Sequence, residues 1–265
     1  MTAREHVVMW SGGITSWATA RIVIERHGRA DTTLLFADTN AEDEDLHRWN
    51  RDATAQLGMD LVRVADPAER DPWQVFEDKR WIGNTRVAQC SHVLKQEPCR
   101  TWLEANCDPA NTVVYVGLDW SEPHRLPGVI SKWAPWTAQA PLTEPPYRDK
   151  DQWFALARSV GLVIPRLYPL GFAHNNCGGA CVKGGQAQWV RLLKVFPERF
   201  ARAEAFEQKM RSRLGKDVSI LRDRNGGTTT ALTLAALRAR VEAEPDQLDL
   251  FDEGGCGCFT DTEAA

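Results

Sequence analysis

The feature that most constrains the fold is a short apolar segment that leads directly into a glycine pair and then into a helical pattern. Residues 6–10, His-Val-Val-Met-Trp, form an apolar run that predicts a buried strand. Gly12 and Gly13 break this run. The apolar spacing over residues 14–27 predicts a helix, which Gly28 ends. The chain therefore begins with a strand, a glycine-rich turn and a helix.

Three further apolar runs predict strands at residues 33–37, 60–65 and 112–116, and an acidic helical stretch reaches about Leu57. Alternating strands and helices favour parallel pairing through right-handed crossovers. We therefore predict an α/β fold, with a Rossmann-like parallel sheet flanked by helices and a mostly helical C-terminal part. In such sheets ligands bind beyond the carboxyl ends of the strands.

The composition of the sequence changes after Pro141, where prolines indicate a loop. We predict a nucleotide-binding α/β domain over residues 1–160, a cysteine-containing helical region over 161–250 and a flexible cysteine-bearing tail over 251–265. The tail is acidic and glycine-rich, a composition typical of a mobile terminus.

The composition is that of a soluble globular protein, because 43% of the 265 residues are apolar and 26% are charged. No stretch reaches the roughly 20 apolar residues that a membrane span needs, and the first residues lack the pattern of a secretion signal. We therefore expect a cytoplasmic protein with no membrane partner, whose seven cysteines are reduced and suited to metal binding or chemistry. The net charge of −4 argues against general attraction to nucleic acid but leaves a local basic face open.

The turn after the first strand has the properties of an anion site. A glycine-rich turn exposes backbone N–H groups, and the start of the following helix adds positive dipole character. The hydroxyls of Ser11, Thr15 and Ser16 supply further donors. The alternative is a plain turn with a serine cap.

The segment Ser11-Gly12-Gly13-Ile14-Thr15-Ser16 resembles the pyrophosphatase loop (PP-loop) of the adenine-nucleotide alpha-hydrolase superfamily. The second strand, followed by Asp38-Thr39-Asn40, resembles the phosphoadenosine-phosphosulfate reductase branch, and the resemblance covers roughly residues 6–210. Thr15 stands where the family usually has Asp, which removes a carboxylate. Together, the resemblance and the strand ends predict a site for the adenine nucleotide at Ser11, Gly12, Gly13, Ile14, Thr15, Ser16, Phe36, Asp38, Thr39, Gly117 and Asp119.

Two cysteine-bearing segments resemble parts of the iron–sulfur adenylylsulfate reductases. The segment from Cys90 to Pro98 is similar to their Cys-Cys-x-x-x-Lys-x-x-Pro pattern, with Gln89 in place of the first cysteine, and this resemblance implies that Lys95 lies near a cluster or the phosphates. Cys177 and Cys181 are similar to their later Cys-x-x-Cys pair, with one extra residue between them. The resemblance implies that Cys90, Cys177 and Cys181 hold a [4Fe–4S] cluster with one open iron. Zinc with His174 as a fourth ligand, a redox pair and inert buried thiols remain alternatives.

The tail carries Cys256 and Cys258 between glycines. Phosphoadenosine-phosphosulfate reductases have a catalytic cysteine on a mobile C-terminal tail, and the placement here is similar. With Lys95, these two thiols are the predicted catalytic residues. A pair of ordinary exposed thiols is the alternative.

The leading functional hypothesis is an ATP pyrophosphatase-type enzyme that adenylates a substrate for sulfur transfer, with ATP and Mg²⁺ as cofactors. The expected partners are a nucleic-acid substrate and a second copy of the chain in a homodimer. A further expected partner is either a sulfur donor protein, such as a cysteine desulfurase, or a thiol reductant. His124 and Arg125, which follow the fourth strand, are further candidates for contact with a substrate. The alternative functions are a reductase of adenylylsulfate or phosphoadenylylsulfate and a non-catalytic nucleotide or metal sensor.

Overall fold

The computed structural model of the protein describes residues 5–84, 87–225 and 228–243. The predicted catalytic residues Cys256 and Cys258 lie outside these ranges, so their roles stay predictions.

A five-stranded parallel sheet forms the centre of the molecule, in the order β3-β2-β1-β4-β5. Its strands are β1 (Glu5–Trp10), β2 (Thr32–Asp38), β3 (Leu61–Ala65), β4 (Thr112–Val116) and β5 (Thr137–Gln139). The first four match the predicted strands to within a residue at either end, and the fifth was not predicted. The predicted parallel α/β fold is confirmed.

The described helices lie on the two faces of this sheet and in the C-terminal part. They are α1 (Ile14–His27), α2 (Glu44–Leu57), α3 (Pro72–Lys79), α4 (Gln89–Ser91), a π-helical turn (His92–Gln96), α5 (Glu97–Asn106), α6 (Leu126–Trp133), α7 (Lys150–Ser159), α8 (Gln186–Val195), α9 (Pro197–Leu214) and α10 (Leu234–Ala243). None of the helices in the described ranges combines the length and apolarity that a bilayer crossing requires.

Alternate residues of each strand belong to two different cores, as expected for a sheet that is buried on both faces. Val8 and Trp10 of β1 pack in one core with residues of α1, α2 and α7. Val7 and Met9 pack in the other with residues of α5 and α6. The carboxyl edge of the sheet is therefore a rigid frame from which the loops after β1, β2 and β4 project.

The C-terminal part is mostly helical, as predicted, but it also contains an antiparallel hairpin of β6 (Leu221–Asn225) and β7 (Thr228–Leu232). Glu207 of α9 joins this hairpin to the helices, since its buried carboxylate accepts the backbone N–H of Ile220 at 2.8 Å and of Leu234 at 2.7 Å. The hairpin sequence is charged and polar rather than apolar in alternation, and the prediction therefore missed it.

Candidate functional site

The predicted phosphate loop borders a small pocket at the carboxyl ends of β1 and β4. This phosphate pocket has a volume of about 80 Å³. It is lined by Met9, Ser11, Gly13, Thr15, Val116, Gly117, Leu118, Asp119, Glu122, Arg125, Lys150, Tyr168, His174, Asn175 and Asn176. Five of the predicted nucleotide-binding residues thus surround one cavity, at the sheet edge where α/β proteins bind ligands.

Two glycines allow the loop to adopt its shape. Gly12 has φ +75°, and a Cβ there would lie 2.8 Å from Leu46 Cδ1 of α2. Gly117 lets β4 approach the loop, because a Cβ at this position would lie 2.9 Å from the backbone carbon of Thr15 and 3.0 Å from the nitrogen of Ser16. Both positions therefore exclude a side chain.

The start of α1 faces this pocket with its free backbone donors. The first N–H groups of a helix have no intrahelical acceptor and carry the positive end of the helix dipole. Tyr168 already uses one of them, since its hydroxyl accepts the N–H of Ile14 at 3.1 Å. Ser16 instead donates its hydroxyl proton to the Gly13 carbonyl at 2.8 Å, which stiffens the loop. No local sequence pattern indicated Tyr168, which lies in a loop 154 residues away from Ile14.

Charges of both signs meet around the phosphate pocket. Lys150 lines it and donates to the Ala173 carbonyl at 3.1 Å. Arg125 lines it next to Glu122, with Nη1 and Oε1 2.5 Å apart. Asp119 adds a second carboxylate, whose Oδ1 accepts from the backbone and hydroxyl of Ser121. The cations suit phosphate oxygens, and carboxylates next to phosphates are the usual ligands of Mg²⁺ in nucleotide sites.

His174 is held neutral in this pocket. Burial, together with the nearby charges of Lys150 and Arg125, lowers the pKa of its imidazole to about 4. Because the unfolded chain takes up this proton near the ordinary value of 6.5 and the folded chain only near 4, the folded state loses stability as the pH falls through that window.

We expect the wild type to lose about 1–2 kcal/mol of unfolding free energy between pH 7 and pH 5 through His174, in proportion to the pKa difference. His174→Gln removes this dependence, whereas His47→Gln, on an exposed face of α2, leaves it unchanged. Urea unfolding at the two pH values measures the effect. An equal pH dependence in all three proteins would contradict the assignment.

Asn175 ties the cysteine-bearing segment to the phosphate loop. Its side-chain Nδ2 donates to the Gly12 carbonyl at 2.9 Å, and the residue is buried. Asn175 and Asn176 line the phosphate pocket, while the next residue, Cys177, lines a second and larger cavity. Consecutive residues of one short segment, 175–177, therefore line the two cavities.

The second cavity, the cysteine cavity, has a volume of about 510 Å³. Cys90, Cys177, Cys181 and Lys95 line it, together with Thr39 from the end of β2. Trp73 and Phe206 supply an aromatic wall, with ring centroids 4.9 Å apart. The structure thus brings together all three cysteines that were predicted to act in one site, and places Lys95 among them.

A buried carboxylate at the base of this cavity organises the cysteine segment. The Glu42 side chain is fully buried and accepts from Lys95 Nζ at 3.2 Å, Thr39 Oγ1 at 3.0 Å and the backbone N–H of Cys177 at 2.8 Å. Cys177 has φ +50°, an uncommon conformation for a residue with a side chain. Glu42 therefore holds both the lysine and the strained cysteine backbone in place.

The next residue, Asp43, fixes the other side of the same segment. Its buried carboxylate contacts Arg166 Nε and Arg199 Nη1, each at 2.7 Å. Arg199 also donates to the Gly178 carbonyl at 2.8 Å. Sequence reasoning missed Glu42, Asp43 and Arg199, because acids at a helix start and an arginine on a long helix normally face solvent.

The thiols of the described chain differ in their environments. The hydrogen bond with Cys181, burial and the charge of Glu42 raise the pKa of the Cys177 thiol well above its usual value, while Lys95 opposes them. Burial raises the pKa of Cys99 to about 12, and burial with Glu5 raises that of Cys107 to about 11. The last two pack in the core that contains Val7 and Met9 of β1.

Metal binding by the three cysteines stays a prediction. Within residues 5–84, 87–225 and 228–243 there is no group of three or more His, Cys, Asp and Glu side chains placed to hold a metal ion. Cys177 and Cys181 hydrogen bond to each other, and the Lys95 ammonium lies near Cys177. With no third ligand placed beside this pair among the described residues, they do not fit a three-cysteine cluster or a zinc site.

Several residues predicted to bind the nucleotide line neither cavity. Phe36 is buried in the core, and Asp38 is buried beside Arg63, with Oδ2 and Nε 2.9 Å apart. The Ile14 side chain also packs in the core, whereas its N–H borders the loop. Their direct contact with a ligand stays a prediction.

Two solved structures are similar to this chain. One is a phosphoadenylyl-sulfate (PAPS) reductase from Candida auris in a phosphate complex, with 17% identity, a TM-score of 0.48 and coverage of 64% of this chain and 80% of that one. The other is an NH3-dependent NAD synthetase from Campylobacter jejuni subsp. jejuni NCTC 11168 in complex with nitrate, with 15% identity, a TM-score of 0.40 and coverage of 82% and 86%. No protein-family model and no curated protein matches the sequence.

Proposed function

We propose that this protein is a PP-loop enzyme that binds ATP at the Ser11–Ser16 loop, adenylates an acceptor and delivers sulfur to it from the cysteine cavity. The observation that carries the proposal is the segment of residues 175–177, whose consecutive residues line first one cavity and then the other. Asn175 bonds to the Gly12 carbonyl of the phosphate loop, and two residues later Cys177 opens onto the thiol-lined cavity. Nucleotide activation and thiol chemistry can therefore act on one bound substrate.

In the activation step, the loop N–H groups, Arg125 and Lys150 hold the phosphates of ATP. Asp119 would hold Mg²⁺ there, and the ion would supply positive charge that screens the pyrophosphate. An oxygen of the acceptor attacks the α-phosphorus. The new O–P bond forms as the bond to pyrophosphate breaks, and the acceptor oxygen becomes a good leaving group within AMP.

In the transfer step, Cys181 carries a persulfide supplied by a sulfur donor protein. The outer sulfur of this persulfide attacks the acceptor carbon that bears the adenylated oxygen. The bond between that carbon and the oxygen breaks, and AMP leaves. The Cys177 thiol, which its raised pKa keeps protonated until this step, then loses its proton and attacks the Cys181 sulfur. The thiolated product leaves as a Cys177–Cys181 disulfide forms, and a thiol reductant reopens that disulfide with two electrons.

Incubation of the protein with ATP, Mg²⁺ and candidate acceptors tests the activation step. We expect AMP and pyrophosphate in equal amounts. Cys177→Ser retains AMP formation but leaves the acceptor attached to Cys181 as a mixed disulfide, because no neighbouring thiol releases the product. Formation of ADP and phosphate by the wild type would contradict the proposal.

A reductase of adenylylsulfate or its 3′-phosphate is the second candidate, and the thiol pair beside the phosphate pocket favours it. There a thiolate attacks the sulfur of the nucleotide, the S–O bond to the phosphate breaks, and AMP or its 3′-phosphate leaves. A second thiol then attacks the thiolate-derived sulfur, so that sulfite leaves as a disulfide forms. Cys256 or Cys258 would supply the first thiolate if the tail reaches the site. Sulfite release without ATP turnover distinguishes this function from the first.

An exposed aromatic pair next to the phosphate pocket supports a nucleic acid as the acceptor. Trp120 and Tyr147 are 43% and 56% exposed, and their ring centroids lie 6.0 Å apart. Trp120 follows Asp119 of the pocket wall, and Tyr147 lies three residues before Lys150. Large exposed rings in contact with each other are typical of binding surfaces, and open aromatic platforms stack unpaired bases.

We expect Trp120→Ala to weaken binding of a single-stranded RNA about tenfold, within the roughly 1–3 kcal/mol that one stacked base contributes. Trp81→Ala is the matched control, because Trp81 is 44% exposed and lines neither cavity. Fluorescence anisotropy with a labelled oligonucleotide measures both. Equal affinities of the two variants would exclude this surface.

A further inference from the structure

One buried acceptor in the phosphate pocket has no donor. Asn175 is 1% exposed, and its Nδ2 is committed to the Gly12 carbonyl at 2.9 Å. This bond fixes the orientation of the amide, because a carbonyl accepts only from the NH₂ end. The remaining Oδ1 is buried and accepts no hydrogen bond from the described residues.

The two carboxylates of the pocket wall already accept hydrogen bonds from neighbouring residues. Asp119 Oδ1 accepts from Ser121, and Glu122 Oε1 accepts from Arg125. Native proteins rarely leave a buried carbonyl without a donor, and such a group in a cleft calls for an explanation. A bare phosphate oxygen does not supply one, since two acceptors repel each other.

We propose that Asn175 determines specificity in the phosphate pocket by accepting a hydrogen bond from an O–H group that the phosphate ligand carries. Two sources provide such a donor: a hydroxyl of the sugar, or a water molecule that Mg²⁺ holds on the phosphates. The inference rests on the proposed binding of a nucleotide at this loop. It adds that the N–H groups of the loop recognise the phosphates, whereas the Asn175 carbonyl selects the O–H group that accompanies those phosphates.

The role of Asn175 as a tether must be separated from its role as an acceptor. Asn175→Ala removes both. Asn175→Asp loses the donor to Gly12 but retains an oxygen at the end of the side chain. Loss of the bond to Gly12 weakens two matched ligands alike. The ratio of their affinities therefore reports only on the hydrogen bond that Asn175 Oδ1 accepts from one of them.

Calorimetric titrations with ATP and 2′,3′-dideoxy-ATP, each with Mg²⁺ and with a chelator, test the proposal. If a sugar hydroxyl is the donor, the wild type binds ATP about tenfold more tightly than the dideoxy analogue in both conditions, as one buried hydrogen bond predicts. If Mg²⁺-held water is the donor, removal of Mg²⁺ weakens both ligands, and more strongly in the wild type than in Asn175→Ala.

In either case Asn175→Asp retains the selectivity, at lower overall affinity, and Asn175→Ala loses it. Equal wild-type affinities in all four titrations would overturn the inference, and so would full selectivity in Asn175→Ala. Failure of the wild type to bind either nucleotide would instead refute the proposed function. Circular dichroism establishes that each variant is folded.

Discussion

Gly117→Ala is expected to weaken ATP binding by about tenfold to a hundredfold. The new methyl group would lie 2.9–3.0 Å from the backbone of Thr15 and Ser16, so the loop and the start of α1 must move away from β4. Overpacking of this kind costs roughly 1–3 kcal/mol, and each 1.4 kcal/mol is a factor of ten in affinity. Because the loop N–H groups must converge on the phosphates, the displacement acts mainly on binding.

Gly215→Ala is the control for this substitution. Gly215 ends α9 with φ +60°, and a Cβ there meets nothing within 4 Å. We expect it to lower stability slightly and to leave ATP affinity unchanged, as measured by calorimetry and thermal unfolding. Wild-type affinity in Gly117→Ala would show that the bend between β1 and α1 does not hold the phosphates.

Asp43→Ala is expected to lower the free energy of unfolding by about 3 kcal/mol, because removal of one member of a buried ion pair leaves the other charges without compensation. The Asp43 side chain is fully buried between Arg166 and Arg199. The two arginines keep some access to water, which places the effect at the low end of the usual range. Loss of Asp43 also releases Arg199, and with it the Gly178 carbonyl.

Glu44→Ala provides a matched control, because Glu44 is the exposed neighbour of Asp43 and its carboxylate lies 3.8 Å from Arg166. We expect it to change the unfolding free energy by less than about 0.5 kcal/mol, as for other surface ion pairs. Urea denaturation compares the two variants. Equal effects would contradict the assignment of Asp43 as a buried anchor.

The pH dependence of this anchor has a definite sign. Burial alone would raise the pKa of Asp43, but the hydrogen bonds from Arg166 and Arg199 outweigh burial and lower it below 3.8. The folded state therefore holds this carboxylate ionised to lower pH than the unfolded chain does. Asp43 therefore stabilises the folded state fully when the pH is above 3.8, the ordinary pKa of this carboxyl group. This stabilisation is lost as the pH falls below that value.

The sequence predicted the sheet well because its strands are buried on both faces and appear as continuous apolar runs. The strand at residues 112–116 and the helix at 14–27 have the predicted bounds. The strand β5 has only three residues, which is too short to produce a pattern. The hairpin of β6 and β7 is stabilised by contacts of Glu207 with distant backbone groups, which no local pattern reveals.

The candidate site was predictable where one short segment carries the chemistry. The Ser11–Ser16 loop is such a segment, and Cys90, Cys177 and Cys181 were found because thiols are rare. Glu42 and Asp43 could not be recognised, since their burial depends on Lys95, Arg166 and Arg199, more than 50 residues away in the chain. An acidic pair at a helix start is usually a solvated cap.

Calorimetric titration of the intact protein with ATP, AMP and adenylylsulfate tests the central claim most directly. The structure predicts saturable binding of at least one of these nucleotides, abolished or strongly weakened in Gly117→Ala. No heat from any of the three at millimolar concentration, with the protein folded, would contradict the claim that the loop after β1 is a nucleotide phosphate site.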